Sequence, residues 1–418
     1  MTPKIIIRSY LVTTGIFNLS ASIIWGINTL FLMHAGLDIF GVFVANGIFT
    51  ASMALFEIPT GVLADTRGRR ASFLLSILVI LIGTLGYVWV AATSGSLLGF
   101  SIMSAVLGLG YTFYSGAVEA WLVDALKATG FQGNLDRVFA QGGMVFGAAM
   151  LVGSLGGGLL GTLDLALPYL VRSGLLIGAF GVAWFTMHDI GYTPKALRLR
   201  TLPREMGKIA TASMTFGWRV ISVRLLMTVS LIQAIFMAWG YHSWQPYFLG
   251  LLEREGAIWI AGVIAALISV ATMIGNGLVS RLGHLVTYRS TILLWAVVGA
   301  GIGAVAVGLA GNFWLAVSLY LLLMVGFGAA GPVRQAYLHQ LIPSEQRATI
   351  VSFDSLMGSI GSGGGQVGLG YLARQQSLSV GYITGGLLTL LALPVVLLLR
   401  RLRQPEDRMN LSSDSEPA

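Results

Sequence analysis

FEIPTGVLADTRGRR, residues 56–70, ends a long apolar run that begins near residue 39. A helix needs roughly 20 apolar residues to cross about 30 Å of hydrocarbon, and this run supplies them. Inside it stand an acid, Glu57, and the helix-disrupting Pro59; at its end Asp65 is followed by Arg67, Arg69 and Arg70. The run stops where charge begins, as a membrane span does on meeting water.

The rest of the chain repeats the pattern. Of 418 residues, 56% are hydrophobic and only 10% charged, and the mean hydropathy is +0.81. That balance excludes an ordinary soluble enzyme and points to a polytopic membrane protein. In lipid only helices and closed barrels satisfy their backbone groups, and the apolarity here is continuous rather than alternating, so the spans are helices. Twelve are expected, over about 9–33, 39–62, 71–92, 96–122, 138–162, 166–187, 222–250, 256–280, 288–310, 313–338, 348–373 and 379–399. The first apolar segment is too long for a cleaved leader and is taken as span 1. Spans 5 and 11 are rich in glycine. Gly153, Gly157 and Gly161, four residues apart, are expected to let helices pack closely, since small residues mark such contacts in bilayers.

Basic residues set the orientation. Of 25 Lys and Arg, 22 fall on the face that holds both termini, and Arg172, Arg254 and Arg374 fall on the other. Both ends are therefore expected in the cytoplasm, with the protein in the inner (plasma) membrane. The net charge of +8 is then a topogenic signal and an attraction to anionic lipid, with no nucleic-acid partner implied. There are no cysteines, so disulfides and thiolate metal sites are excluded. The five histidines lack metal-ligand spacing and no P-loop lysine motif exists, so no metal, no cofactor and no ATP-driven or enzymatic chemistry is expected.

The longest polar break, 188–221, divides the chain into an N-terminal six-helix bundle, 1–187, and a C-terminal one, 222–403; residues 404–418 read as a disordered cytoplasmic tail. The halves repeat. Sliding one on the other by 216 residues places Gly61-Val62-Leu63 on Gly277-Leu278-Val279 and Glu119-Ala120-Trp121-Leu122 on Gln335-Ala336-Tyr337-Leu338. The expected fold is an all-α membrane protein of twelve transmembrane helices in two pseudo-symmetric six-helix bundles, with a pathway between them.

Gly61-Val-Leu-Ala-Asp65-Thr-Arg67-Gly68-Arg69-Arg70 resembles motif A of the major facilitator superfamily, G-x-L-x-D-x-x-G-R-R/K, in the loop between spans 2 and 3 where that family carries it. Span count, loop position and midpoint break agree with the resemblance. Gly153-Ser154-Leu155-Gly156-Gly157-Gly158 is similar to the span 5 motif C of drug/proton antiporters, G-P-x-x-G-G, with Ser154 in place of proline. The span 4 arginine that such antiporters usually carry is absent; Ser104 stands there, ahead of Gly108 and Gly110.

The resemblance implies a cytoplasmic charge relay of Asp65 and Arg69, flanked by Gly61, Gly68 and Arg70, with Asp124 at the end of span 4 as the third member and the start of span 11 as docking partner. A carboxylate facing a helix N-terminus gains about 0.3–1 kcal/mol when exposed. Glu57 lies two helical turns from Asp65, roughly 12 Å deeper at 1.5 Å per residue. It is either a protonatable coupling group or an acid fastening span 2 to span 11, and its place beside the relay favours the second.

Span 4 carries Gly108, Thr112, Ser115 and Glu119 at helical spacing, a small-and-polar stripe on an apolar helix. In the family, spans 1, 4, 7 and 10 line the central cavity, so Glu119 is expected to look into it, bridged to Arg334 of span 10 as a cytoplasmic gate that a proton releases. Asp354 in span 11 and Arg172 in span 6 are further intramembrane charges. The substrate cavity is expected to include Asn18, Ser22, Trp25 and Thr29 of span 1, Thr112 and Ser115 of span 4, and Gln233, Phe236, Met237, Tyr241 and Trp244 of span 7. Aromatics, methionine and a few amides suit flat or amphipathic molecules; Trp239 and Trp244 are equally placed to be interfacial anchors. The expected function is proton-coupled multidrug export by a monomeric antiporter, its partners a small-molecule substrate, protons and membrane lipid. A dedicated carrier for one metabolite, and a non-transporting receptor, are the alternatives.

Overall fold

The computed structural model describes residues 1–114, 116–192, 219–252, 257–342 and 347–409. They are helical nearly throughout, with no strand element among them. Span 1 is Pro3–Trp25 with Asn28–His34, span 2 Ile39–Arg67, span 3 Arg69–Thr93, span 4 Leu97–Tyr114 with Ala117–Ala128, span 5 Leu135–Leu163 and span 6 Leu167–Thr186. Span 7 is Ile221–Leu252, span 8 Ile258–Leu285, span 9 Arg289–Leu309, span 10 Phe313–Leu341, span 11 Arg347–Gln375 and span 12 Leu378–Leu390 with Ala392–Arg401.

Three spans are broken, each with a local cause. Span 1 bends by 49° at Gly26, where a helix is least supported. Span 4 is interrupted before Ala117 by Gly116 at φ +69°, a left-handed conformation that glycine adopts without strain. In span 12 the break at Leu391 precedes Pro394, which has no N–H for the Leu390 carbonyl.

Among the described residues ten helices are long and apolar enough to cross a membrane, and the bent pair of span 1 makes eleven. Span 11 is 29 residues long but glycine- and serine-rich; counting it, there are twelve. Leu98, Phe185 and Trp314 point outward, largely exposed on the protein surface, as do many other large apolar side chains. So many exposed large apolar groups on long apolar helices suit hydrocarbon surroundings. The protein is a multi-pass membrane protein.

By contacts the chain forms two units, Met1–Glu205 with Glu253–Ala266, and Met206–Leu252 with Leu267–Ala418. The first turns of span 8 belong to the first of these units. Gly158 and Gly262 are the reason, since neither has a side chain and their backbones meet.

Within the first unit span 1 packs on spans 5 and 6, span 2 on span 4, and span 3 on spans 4 and 6. The second unit repeats these neighbours, span 7 on spans 11 and 12 and span 9 on spans 10 and 12. The seams are alike in chemistry. A β-carbon at Gly153 or Gly157 would collide with Ser22 or with the Ile23 carbonyl oxygen of span 1, and one at Gly361 or Gly365 with the Leu231 or Ile235 carbonyl oxygen of span 7.

Each unit is closed by an aspartate that follows its last helix. Asp189 accepts the backbone N–H of Arg70 at 2.9 Å, and His188 offers its carbonyl to Trp121 Nε1 at 2.8 Å, so the break expected over 188–221 begins as a packed segment. The tail expected to be disordered from 404 likewise begins docked. Asp407, 1% exposed, accepts the Ser290 N–H at 2.7 Å and its hydroxyl at 2.6 Å. Met409 N–H donates to the Thr287 carbonyl. Residues 410–418 lie outside the described residues.

Candidate functional site

In the second unit the two intramembrane charges of spans 10 and 11 find each other. Arg334 Nη1 and Nη2 donate to Asp354 Oδ1 and Oδ2, each at 2.9 Å, a bidentate pair. Arg334 lies seven residues before the end of span 10 and Asp354 seven after the start of span 11, each about 10 Å along its helix at 1.5 Å per residue. The helices place both at the same depth. Asp354 is 6% exposed and the Arg334 side chain 21%. The pair lines a cavity of about 430 Å3 together with Gln335, His339 and Ser355. Arg334 was expected to bridge Glu119; its carboxylate partner is Asp354. The 216-residue offset misdirected that expectation, whereas the equal distance of the two charges from the short span 10–11 connection would have found the pair.

In the first unit Glu119 sits in the first turn of Ala117–Ala128, directly after Gly116. Free N–H groups there favour an anion. It is half-buried and acts electrostatically on the hydroxyls of Tyr10 and Tyr114. Tyr114 hydrogen-bonds the side chain of Asn18 and stacks on Phe17, ring centroids 4.0 Å apart. Asn18 in turn donates to the Thr14 carbonyl at 2.8 Å. The two tyrosines were not among the residues singled out from sequence, because aromatic residues on an apolar helix carry no distinguishing signal.

The stripe of span 4 does not form one face. Gly108 is pressed against the Phe49 carbonyl of span 2, Thr112 is 2% exposed with its hydroxyl on the Leu109 carbonyl, and the helix breaks before Glu119. Ser115 lies outside the described residues. Small and hydroxylated residues here serve helix packing, which in a bilayer uses the same residue types as a wet surface.

Span 1 divides similarly. Ser22, expected in the cavity, donates to the Ala149 carbonyl of span 5 at 2.8 Å. Thr29 is fully buried, and Trp25 is half-buried beside the Gly26 break. On span 7, Phe236 and Trp244 are fully buried, as is Trp239; Phe236 and Trp239 pack on Tyr382 of span 12 inside the second unit. Gln233, Met237 and Tyr241, four residues apart, remain half-buried along one side of span 7.

The motif A loop is a single-residue junction. Gly68 has φ +106°, and a β-carbon there would collide with the Asp189 carboxylate. Two independent constraints thus select glycine. Arg70 also donates Nη2 to the Trp184 carbonyl at 2.7 Å and lies 4.9 Å from the Trp184 ring centroid, a cation–π contact. Arg69 and Asp124 are half-buried, and Gly61 has open space where a side chain would project. The side chain of Asp65, and with it the relay expected of Asp65, Arg69 and Asp124, lies outside the described residues. Glu57 is exposed on the first unit, not sealed inside it. Gly161 has ordinary van der Waals neighbours and a close approach to Ile258.

The model of the Major Facilitator Superfamily matches residues 257–418. The tetracycline resistance protein, class G, of Vibrio anguillarum is 25% identical over 373 residues, 84% of this chain and 85% of that protein. Among solved structures, the nucleoside transporter NupG superposes with a TM-score of 0.75 at 10% identity, covering 96% of this chain and 99% of its own. The POT family transporter PepTSo does so with 0.72 at 14% identity, covering 96% and 98%. Those two likenesses concern the fold, and they cover most of residues 1–256, which the family model leaves unmatched. With its twelve helices in two repeated units the chain has the fold of these two transporters, and its residues 257–418 match the Major Facilitator Superfamily.

Proposed function

We propose that this chain is a secondary active transporter that works by alternating access, exchanging protons for amphipathic small molecules that it exports. The observation that carries the reading is the Arg334–Asp354 pair on the wall of a cavity. A buried carboxylate and guanidinium hold each other strongly, and removing one partner typically costs about 3–5 kcal/mol. A proton on Asp354 cancels the charge that holds Arg334, so protonation and rearrangement of spans 10 and 11 become one event. Glu119, beside the hydroxyls of Tyr10 and Tyr114, is the second acid of the coupling in this reading. Likeness to a tetracycline resistance protein supports export of an amphipathic molecule, and half-buried Gln233, Met237 and Tyr241 supply a suitable wall. The excess of basic residues on the face that holds both termini supports a cytoplasmic location for them in an inner-membrane protein, and the reading takes the transporter as a monomer.

The test is efflux of fluorescent amphipathic dyes, cationic and zwitterionic, from proteoliposomes under an imposed pH gradient. Wild type should move dye only with the gradient; Asp354→Asn and Glu119→Gln should lose the gradient dependence. Equal gradient-driven flux in all three proteins would remove both acids from the coupling. A dedicated carrier for one metabolite is the second reading. It is favoured by Ser104, which stands where drug antiporters carry arginine and is committed to Tyr87 at 2.6 Å; a narrow profile in a substrate panel would decide for it.

A further inference from the structure

Arg172 of span 6 is 2% exposed, and no carboxylate reaches it among the described residues. Its one hydrogen bond, from Nη2 to the Tyr111 hydroxyl, is 3.3 Å long, and the guanidinium carbon lies 6.0 Å from that ring's centroid. Nε has no acceptor. A guanidinium offers five N–H donors in a planar fork, so most of its capacity is uncommitted.

The surroundings add neutral polar groups rather than anions. Tyr87 and Tyr169, both buried, lie within electrostatic range of Arg172. Tyr169 donates its hydroxyl proton to Asn28 Oδ1 at 2.8 Å, and Asn28 Nδ2 donates to Asn46 Oδ1 at 3.4 Å. That chain ends at Asn46 Nδ2, a buried donor with no acceptor. Spans 1, 2, 3, 4 and 6 all send a polar group to the cluster, yet none sends an anion. A charge inside a membrane is ordinarily paired, and one held without a counter-ion marks a ligand position. Tyr111, which accepts that hydrogen bond, is half-buried, whereas Tyr87 and Tyr169 are buried; the Tyr111 side is the more open way in for a ligand.

We propose that Arg172 is a binding residue for the carboxylate of the transported molecule, with Tyr111 as its second contact. A carboxylate presents two oxygens to the guanidinium fork in the bidentate geometry that arginine favours. This deepens the transport reading and rests on it: the substrate becomes an amphipathic acid or zwitterion rather than a simple cation.

The test measures thermal unfolding of the full chain in detergent with sodium benzoate, and with benzamide as the uncharged isostere. Millimolar benzoate should raise the Tm of wild type by several degrees, and benzamide should not. Arg172→Met should abolish the shift and, without benzoate, melt at or above wild type, because an unpaired buried charge has been removed. Tyr111→Phe keeps the ring and should weaken the apparent benzoate affinity several-fold, which decides the matter if Arg172→Met does not fold. Equal shifts with benzoate and benzamide, or a benzoate response unchanged in Tyr111→Phe, would overturn the proposal. Gradient-driven dye flux without a benzoate response removes the site and leaves transport standing; a benzoate response that needs Arg172, in protein that moves no dye, does the reverse.

Discussion

Spans 3 and 9 begin in the same way and are held with different strength. In each, an aspartate from beyond the unit's sixth helix accepts the N–H of the second residue, Arg70 from Asp189 at 2.9 Å and Ser290 from Asp407 at 2.7 Å. The first carboxylate is exposed and takes that one backbone donor from span 3. The second is 1% exposed and also binds the Ser290 hydroxyl. Beside it Arg289 Nη1 reaches the carbonyls of Glu406 and Arg408, and Met409 joins the apolar cluster of the second unit. Duplication has kept the cap and the glycine seams while the surroundings diverged. The repeated features are those that the helix backbone requires; the charged side chains differ between the copies.

The glycine seams test the repeat most severely. A β-carbon at Gly157 meets the carbonyl of a neighbouring helix, which cannot turn aside as a side chain would, whereas Gly156 in the same helix has open space. Overpacking ordinarily costs about 1–3 kcal/mol, and a backbone collision belongs at the upper end. Gly157→Ala and Gly365→Ala should therefore each lower stability by about 3 kcal/mol in SDS unfolding of purified protein. Gly156→Ala should be neutral or slightly stabilising, since alanine favours helix over glycine. A large loss for Gly157→Ala beside none for Gly365→Ala would show that the two seams are not equivalent.

What the sequence made legible follows from what a bilayer demands. Spans must be long and apolar, and glycine at four-residue spacing has few uses besides close packing, so the twelve segments could be read from composition. Facing could not. A span in lipid is apolar on both its lipid side and its bundle side, so Phe236 and Trp239 carried no sign that they pack on Tyr382. Ser22 and Thr112 were misleading for a related reason: a hydroxyl that bonds a helix carbonyl is indistinguishable in sequence from one that lines a wet cavity. Partners across a hairpin were lost as well, since Arg334 and Asp354 are separated by a helix end and a connection, and only equal depth relates them.

Asp407 provides the next test. Replacing it with alanine leaves the buried Ser290 hydroxyl and N–H without their acceptor, and an unsatisfied buried group costs about 1–3 kcal/mol. Asp407→Ala should lower stability by about 2 kcal/mol. Removing everything after Arg403 should do at least as much, because Met409 and the carbonyls bound by Arg289 go with it. A truncation that leaves the unfolding curve unchanged would mean that the strap adds nothing to the second unit.

Asp189→Ala carries the smallest expected effect and says most about the difference. The carboxylate faces the N-terminus of span 3 from water, where such a contact is worth about 0.3–1 kcal/mol and is screened by salt. The loss should therefore shrink further between 50 mM and 1 M salt, while the loss in Asp407→Ala, buried from solvent, should hardly change. Asp189→Asn separates the two components of the contact, keeping an acceptor for the Arg70 N–H and removing only the charge. If its stability stays near wild type and salt no longer matters, the hydrogen bond dominates in the first unit as it does in the second. If instead Asp189→Asn falls as far as Asp189→Ala, the cap of span 3 acts through its charge, and the two units use one residue type for two different physical ends.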